Sequence, residues 1–569
     1  MRKKHILILG VLLATITAIG QSPLYQQSSE VNNLMVQYDA DRGSLSRFYF
    51  IENSPYRRNR LVILNTGYLK QLQQLNYESL PTGSRVDYIL FKRNLDEQLR
   101  LLEVEKKECD QLGSWFSISS WIYGLEKGRT RGGPVEGQKW ADSMKALTRN
   151  ISDRMKLLEK DSSISINLIR RAQGTVKGLQ AALKSVHEFY NGYDPEYTWW
   201  VPNTYKSLDS ALSAYAQLWQ KRSKAAPGGK DDGSGIIGYP IGKDEIVRQL
   251  QLEFIPYTPE ELIDIANKEF AWCDAEMLKA TQDMGFGKDW KAALEKVKNT
   301  YVPPGKQPEA IMKLYNESVD FLKKKNLLTI PPIAEETWRM IMMTPERQLV
   351  NPFFTGGEVL SISYPTNTME EGDKMMSMRG NNPHFSRATV HHELIAGHHL
   401  QGFMSNRYKM YRSFETPFWV EGWALYWEML LWDQQFPQSP EDRVGMLFWR
   451  MHRCARIIFS LNYHLGKWTP QQCIDFLVDR VGHERANAEG EVRRSFVGGY
   501  SPLYQLAYMI GGLQFYAMKK ELVDSGKMTF AQYHDAVLRE NAMPVSMVRA
   551  IITNQPISKD YKAEWKFYK

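Results

Sequence analysis

A predominantly α-helical chain with one small β element is the fold class this sequence predicts, and three observations carry the prediction. Across Leu95–Leu112 and Met144–Leu158, apolar residues return every three or four positions among abundant charges, the period of a helix face. Two helix starts are well marked: Thr258-Pro259-Glu260-Glu261 and Thr469-Pro470-Gln471-Gln472 each supply an N-cap hydroxyl, a proline at the first helical position and a side chain that closes a capping box. Strand signals are few, the best being Glu358–Tyr364, a short β-branched stretch ending at Pro365.

From the N-terminus, Arg2, Lys3 and Lys4 precede an apolar run, Ile6–Ile19, and the small residues Ala18 and Gly20 allow cleavage near Gln21. Residues 1–20 therefore read as a secretory signal peptide, too short for a stable membrane span. No cysteine follows the run, which argues against a lipoprotein anchor. No later apolar stretch is long enough to cross a bilayer, so the mature chain is expected to be exported and free of a stable membrane span.

At 569 residues the chain can bury a large core, and its 43% apolar and 24% charged content is ordinary for a globular protein. Sixteen Trp and 29 Tyr favour a large helical body with aromatic-lined grooves, although most aromatics simply pack. The formal charge of +8 falls to +5 without the three leading basic residues, and no dense Lys/Arg run is interleaved with aromatics. Nucleic acid is thereby excluded as a partner. Cys109, Cys273, Cys454 and Cys473 are widely scattered without CxxC spacing; they read as small buried hydrophobes, with Cys454–Cys473 the one pair worth testing as a disulfide.

The clearest compositional break is Ala225–Gly242, with six glycines and two prolines, an exposed loop. It separates an N-terminal helical region at 21–225 from a C-terminal region, 243–569, that holds every strong chemical motif; 226–242 is the loop itself. The two regions are expected to form one continuous fold.

The chemistry concentrates in the run Val390-His391-His392-Glu393-Leu394-Ile395-Ala396-Gly397-His398-His399-Leu400-Gln401, which holds four of the eleven histidines. A His-Glu pair followed by further histidine is how zinc hydrolases present two imidazoles and a carboxylate to one water. The usual HExxH would place its second ligand at residue 396, which is alanine. Ser386 is a plausible N-cap, so the helix should run from about Arg387 through the cluster. In a regular helix His399 would lie about 10 Å along the axis from His392, and His398 would be rotated by roughly 120°. Neither geometry suits two ligands of one zinc with bonds of about 2.0–2.1 Å. The helix must therefore bulge or break, and Gly397 supplies the backbone freedom. His398, directly after the glycine, is the favoured second ligand; His399 is the alternative.

A third ligand is available 29 residues after His392: Glu421, at the start of a buried helix marked by Trp423, Trp427 and Leu430. Glu428, seven residues on, shares its face and can accept from a ligating imidazole. Glu393 is then the general base, taking a proton from the activated water and passing it to the leaving amine. A lone buried His-Glu pair is usually a satisfied core contact, but two His-His doublets bracketing a glycine, with a helical glutamate downstream, favour one bound zinc ion. In Gly498–Gly511, Tyr504 and Tyr508 share a helical stripe and Tyr500 sits in the preceding turn. Tyr508 and Tyr500 are expected as hydroxyl donors to a developing oxyanion, with helix packing the competing explanation. Arg493 and Arg494 can hold a substrate carboxylate bidentately, or simply form surface salt bridges. His384, His452, His464 and His483 have no ligand-like spacing.

Taken together these residues resemble the large bacterial family labelled domain of unknown function 885, which is itself similar to thimet-oligopeptidase-type gluzincin metallopeptidases. The family hallmark, HExxPGHHLQ followed by EGWALYxE, is matched by His392–Gln401 and Glu421–Glu428. The likeness continues through Arg453–Ile457, Gly466–Pro470 and Ala507–Gly511, with an upstream match at Arg85–Tyr88. Ala396 departs from the family's proline. The resemblance implies a mainly α fold around a deep cleft, zinc on His392, His398 and Glu421, Glu393 as base, and a peptide substrate. It also implies that Glu358–Tyr364 is an edge strand for that peptide. The expected function is a zinc metallopeptidase of short or unfolded peptides, exported to the periplasm or extracellular space of a bacterium. Two other functions fit the sequence: an inactive peptide-binding pseudoenzyme, and a zinc amidase on non-peptide substrates.

Overall fold

A computed structural model describes residues 30–224, 231–350 and 353–568. The expected signal peptide and residues 225–230 of the expected loop lie outside them. The chain divides into two compact units, Met1–Ser223 and Lys224–Lys569.

The first unit is all helix: α1 (Glu30–Phe48), α2 (Pro55–Gln74), α3 (Thr82–Gln111), α4 (Ser119–Arg129), α5 (Gly137–Leu158), α6 (Ile166–Tyr190), α7 (Pro195–Trp200) and α8 (Pro202–Lys224). The helices expected at 95–112 and 144–158 are the C-terminal parts of α3 and α5. Ser54 caps α2 ahead of Pro55, and Ser165 caps α6, each hydroxyl accepting from an orphan amide. Where α1, α2 and α3 meet, Tyr38 stands edge-on to Tyr68 and to Phe91 at 5.3 Å. The buried Arg58–Glu105 pair, 3.0 Å apart, ties α2 to α3.

The second unit opens with residues 231–242 in neither helix nor strand, then α9 (Lys243–Leu252), α10 (Pro259–Asp283), α11 (Trp290–Lys298), α12 (Gln307–Lys324) and α13 (Pro332–Thr337). Two short strands, β1 (Arg339–Met342) and β2 (Val359–Ile362), flank α14 (Pro345–Val350). They pair in parallel, Arg339 with Val359 through Met342 with Ile362. The expected strand is therefore β2, while β1 has no β-branched pattern that would announce it. Ser361 of β2 also exchanges both backbone hydrogen bonds with Thr355, at 2.7 and 3.1 Å. β2 is thus an edge strand of a two-stranded sheet, with Thr355 bridged to it at Ser361.

The remainder is α15 (Glu371–Gly380), α16 (Pro383–Glu393), α17 (His398–Ser405), α18 (Pro417–Asp433), α19 (Pro440–His464), α20 (Pro470–Val481), α21 (Arg485–Phe496), α22 (Tyr504–Lys519), a π-helical turn at Lys520–Asp524, α23 (Phe530–Arg539) and α24 (Val545–Ile552). Both capping boxes read from the sequence are formed, at Thr258 and Thr469. α18 is the centre of this unit. Trp419, Trp423, Tyr426 and Trp427 are all buried, so the helix is enclosed around its circumference. It packs on α22 at the closest possible approach: a Cβ added at Gly422 would stand 2.5 Å from Gly511 Cα. α16 packs on α18 and α19, and α22 packs on α19 as well as α18. These four helices bring the histidine run, Glu421, Arg453 and Tyr508 to one place.

All four cysteines are free thiols, and the three in this unit are buried. Cys473 donates to the Phe459 carbonyl at 3.7 Å, and the neighbour of Cys454 is Cys273. The Cys454–Cys473 pair suggested by sequence is not formed. No helix among the described residues is long and apolar enough to cross a membrane.

Candidate metal centre

The histidine run begins earlier than its sequence suggests. Asn382, not Ser386, caps α16: its side chain accepts from the amides of His384 and Phe385, and Pro383 takes the first helical position. A proline one residue after an asparagine is the stronger start signal, and Ser386 lies buried inside the first turns.

The helix stops at Glu393 and restarts at His398, which is the interruption that the spacing required. Leu394–Gly397 forms the link, with a cis peptide between Ile395 and Ala396. Trp423 fixes it by donating its indole N–H to the Ala396 carbonyl at 2.9 Å, and the Gly397 amide donates to the His391 carbonyl at 2.9 Å. Only glycine fits at 397, because a Cβ there would overlap the His392 carbonyl oxygen.

This break sorts the four histidines. The His391 ring is buried against Phe436, 5.7 Å between centroids, and burial pushes its pKa down to about 3. His399 donates through Nε2 to the Ala334 carbonyl at 2.7 Å. His392 and His398 converge instead, their rings perpendicular and 4.8 Å apart. Glu421 meets both: its Oε2 lies 3.6 Å from His392 Nε2 and 3.3 Å from His398 Nε2. That oxygen is buried and has no hydrogen-bond partner.

The surrounding groups hold this triad in place. His392 donates through Nδ1 to Glu428 Oε1 at 2.7 Å, which turns Nε2 toward Glu421. Glu428 also meets Arg453 at 3.3 Å. Tyr504 donates to Glu421 Oε1. Burial alone would raise the Glu421 carboxyl, but the imidazoles of His398 and His392 outweigh it and hold the group well below the usual carboxylate range. For His392, burial disfavours the charged ring, yet the carboxylates of Glu421 and Glu428 prevail and raise it to about 9. The pocket is therefore built to stabilise positive charge between its carboxylates.

Glu393 sits beside the triad: ligand atoms of His392, Glu393 and His398 all lie within 4.8 Å of one another. Its Oε2 accepts from the Gly356 amide at 2.6 Å, so the segment before β2 orients the carboxylate. Glu421 is the better third member of the cluster, because it faces both ring nitrogens and lacks another partner at Oε2, whereas Glu393 is held by backbone.

The three tyrosines are graded by depth. Tyr508 is buried, stacked on His392 at 6.2 Å and covered by the guanidinium groups of Arg453 and Arg456 at 4.5 and 4.4 Å. Its hydroxyl is 3.4 Å from that of Tyr504. Tyr500 stacks on Tyr504 at 4.3 Å and is 38% exposed, at the rim. Arg494 lines the same cavity of about 240 Å³, whereas Arg493 is spent on the carbonyls of Gly235 and Ser234. The expected arginine pair is thus split, and one member is corrected away from the site. Sequence reasoning did not assign roles to Tyr504, Arg453, Arg456 or Gly356. Two arginines three residues apart within a buried helix were the available signal for the second and third.

Fold and site together define a large helical protein with a largely buried His–His–Glu cluster, set in a cavity walled by tyrosine and arginine. The chain belongs to the bacterial protein family of unknown function DUF885, whose model matches residues 51–552. Among solved structures it is similar to "a putative lipoprotein of unknown function" from Shewanella oneidensis, at 17% identity and a TM-score of 0.66, covering 92% of this chain and 100% of that one. A "putative lipoprotein" from Colwellia psychrerythraea is also similar, at 16% identity and a TM-score of 0.55, over 92% and 98% of the two chains. These likenesses show a shared fold. No curated protein matches the chain at a significant level.

Proposed function

We propose that the protein is an exported zinc-dependent peptidase acting on short or unfolded peptides, with His392, His398 and Glu421 holding one ion and Glu393 as general base. The observation that carries this reading is the convergence of two imidazole nitrogens on a partnerless buried carboxylate oxygen. Ligands of a tetrahedral zinc, with bonds of about 2.0–2.2 Å, stand about 3.3–3.6 Å from one another. The distances from Glu421 Oε2 to His398 and His392, 3.3 and 3.6 Å, match that separation. Such an ion, when bound, supplies Lewis-acid polarisation of a carbonyl and acidifies water.

The chain's own residues provide the rest of an amide hydrolysis. Glu393, oriented through its bond from the Gly356 amide, takes the proton of the attacking water and returns it to the leaving amine. Tyr508, neutral and packed between His392 and two guanidinium groups, donates in this reading to the oxygen on which charge develops. Tyr504 is a positioning residue that holds Glu421, and Tyr500 closes the rim. A larger space of about 530 Å³ is also lined by His398 and Glu421, with room for several residues of an extended peptide.

Glu393→Gln tests the assignment. It is expected to retain the metal while hydrolysis falls by about 10²–10⁴-fold, the usual worth of a general base. Full peptidase activity in that variant would remove Glu393 from the mechanism.

A further inference from the structure

The two cavities that share His398 and Glu421 differ in size and in chemistry. The larger, about 530 Å³, is lined by mixed polar residues such as Gln401, Ser405 and Asn406. The smaller, about 240 Å³, lies below the roughly 300–1,000 Å³ of pockets for drug-sized ligands and has room for one or two amino-acid residues. Arg453, Arg456 and Arg494 all line it, on the wall shared with Tyr500 and Tyr508.

On this wall the guanidinium groups outnumber the carboxylates they pair with. Arg456 binds Glu491 at 2.8 Å, and Arg494 pairs with the same carboxylate. Arg453 faces Glu428 at 3.3 Å, but that carboxylate already accepts from His392. Three guanidinium groups thus share two carboxylates. Arg453 and Arg456 are buried behind Tyr508, whereas the Arg494 side chain is 24% exposed and approaches the Tyr500 ring at 5.9 Å.

Resting on the peptidase reading, we infer that this small cavity receives the C-terminal carboxylate of the substrate. Arg494 is its direct ligand, and Arg453 and Arg456 supply the surrounding positive field. The enzyme is then a carboxypeptidase that removes one or two residues, with the rest of the peptide in the larger space. A guanidinium fork suits a carboxylate in geometry as well as charge. An internal peptide segment would place a neutral amide against the same wall and make no use of the charge of the Arg494 fork.

The test is binding to the zinc-loaded Glu393→Gln protein, measured by calorimetry with an N-acetylated tripeptide as free acid and as C-terminal amide. The acid is expected to bind at least about tenfold more tightly, from the worth of a charged hydrogen bond. Arg494→Ala should abolish that difference, and Arg494→Lys should restore part of it. Equal affinities for acid and amide in the parent protein would overturn the inference, as would an unchanged preference in Arg494→Ala. Product analysis with the native enzyme separates this from the underlying reading. Internal cleavage of acid and amide peptides alike sinks carboxypeptidase action but keeps the peptidase. A clear acid preference in binding, with no peptide hydrolysed, keeps the carboxylate site and sinks the peptidase.

Discussion

Replacing Glu428 by glutamine perturbs the cluster without touching a residue assigned to the ion. Glutamine keeps the shape and leaves an oxygen able to accept from His392 Nδ1, now 2.7 Å away, but the bond changes from charge-assisted to neutral. Charged hydrogen bonds are worth about 1.5–3 kcal/mol and neutral ones about 0.5–1.5 kcal/mol, so the imidazole loses about 1–2 kcal/mol of orientation and basicity. At about 1.4 kcal/mol per factor of ten, zinc affinity should fall by about tenfold, toward the lower end of the 10–100-fold seen for such outer partners. Arg453 is the confounding group, since its contact to Glu428 at 3.3 Å also loses its charge. The double variant Glu428→Gln/Arg453→Met removes the stranded cation and isolates the effect on His392. Competition against a chromophoric chelator measures the affinity, and the melting temperature of the metal-free proteins reports any general damage. An affinity within about twofold of the native protein in the double variant would refute the reasoning, because His392 would then not depend on Glu428.

Two further outcomes follow from the same geometry. His399→Ala should leave metal stoichiometry and peptide hydrolysis unchanged, losing the bond to the Ala334 carbonyl and the packing of a buried ring, about 2–3 kcal/mol of stability by chemical denaturation; loss of metal in that variant would return His399 to the ligand set. Glu491 is expected to govern acid stability. Burial would raise it, but Arg456 and Arg494 hold its carboxyl at about 2 against an ordinary 4.5. Its stabilising contribution is therefore complete above about pH 4.5 and is lost as pH falls toward 2. Denaturation curves across that range should fall more steeply for the native protein than for Glu491→Gln, which should already be the less stable of the two at neutral pH; parallel curves would show that Glu491 carries no such linkage.

Much of the site was legible because its residues obey local rules. The absence of a histidine at 396 forced a helix break near Gly397, and α16 does end at Glu393. A face shared by Glu421 and Glu428 placed one on the histidine nitrogens and the other behind them. The choice between His398 and His399 was open in the sequence, since both follow the glycine; the restart of α17 at His398 sends the second ring to Ala334. What sequence could not supply were contacts between distant segments. The amide that orients Glu393 comes from Gly356, 37 residues earlier, and the hydroxyl on Glu421 comes from Tyr504, 83 residues later. Arginine has no periodic signature of burial, so Arg453 and Arg456 emerge only when α19 packs behind α22. The strand β1 was invisible for a related reason: its four residues, Arg-Met-Ile-Met, are held by pairing with β2 rather than by local preference.

Metal content is the most direct test of the central claim. The full chain, purified without chelator and dialysed against zinc, should bind one equivalent, with X-ray absorption giving two imidazole nitrogens and carboxylate oxygen near 2.0–2.2 Å. His392→Ala, His398→Ala and Glu421→Gln should each weaken that binding strongly while the fold, followed by circular dichroism, is kept. Undiminished stoichiometric binding in the His392→Ala/His398→Ala double variant, or no bound zinc in the native chain, would contradict the account.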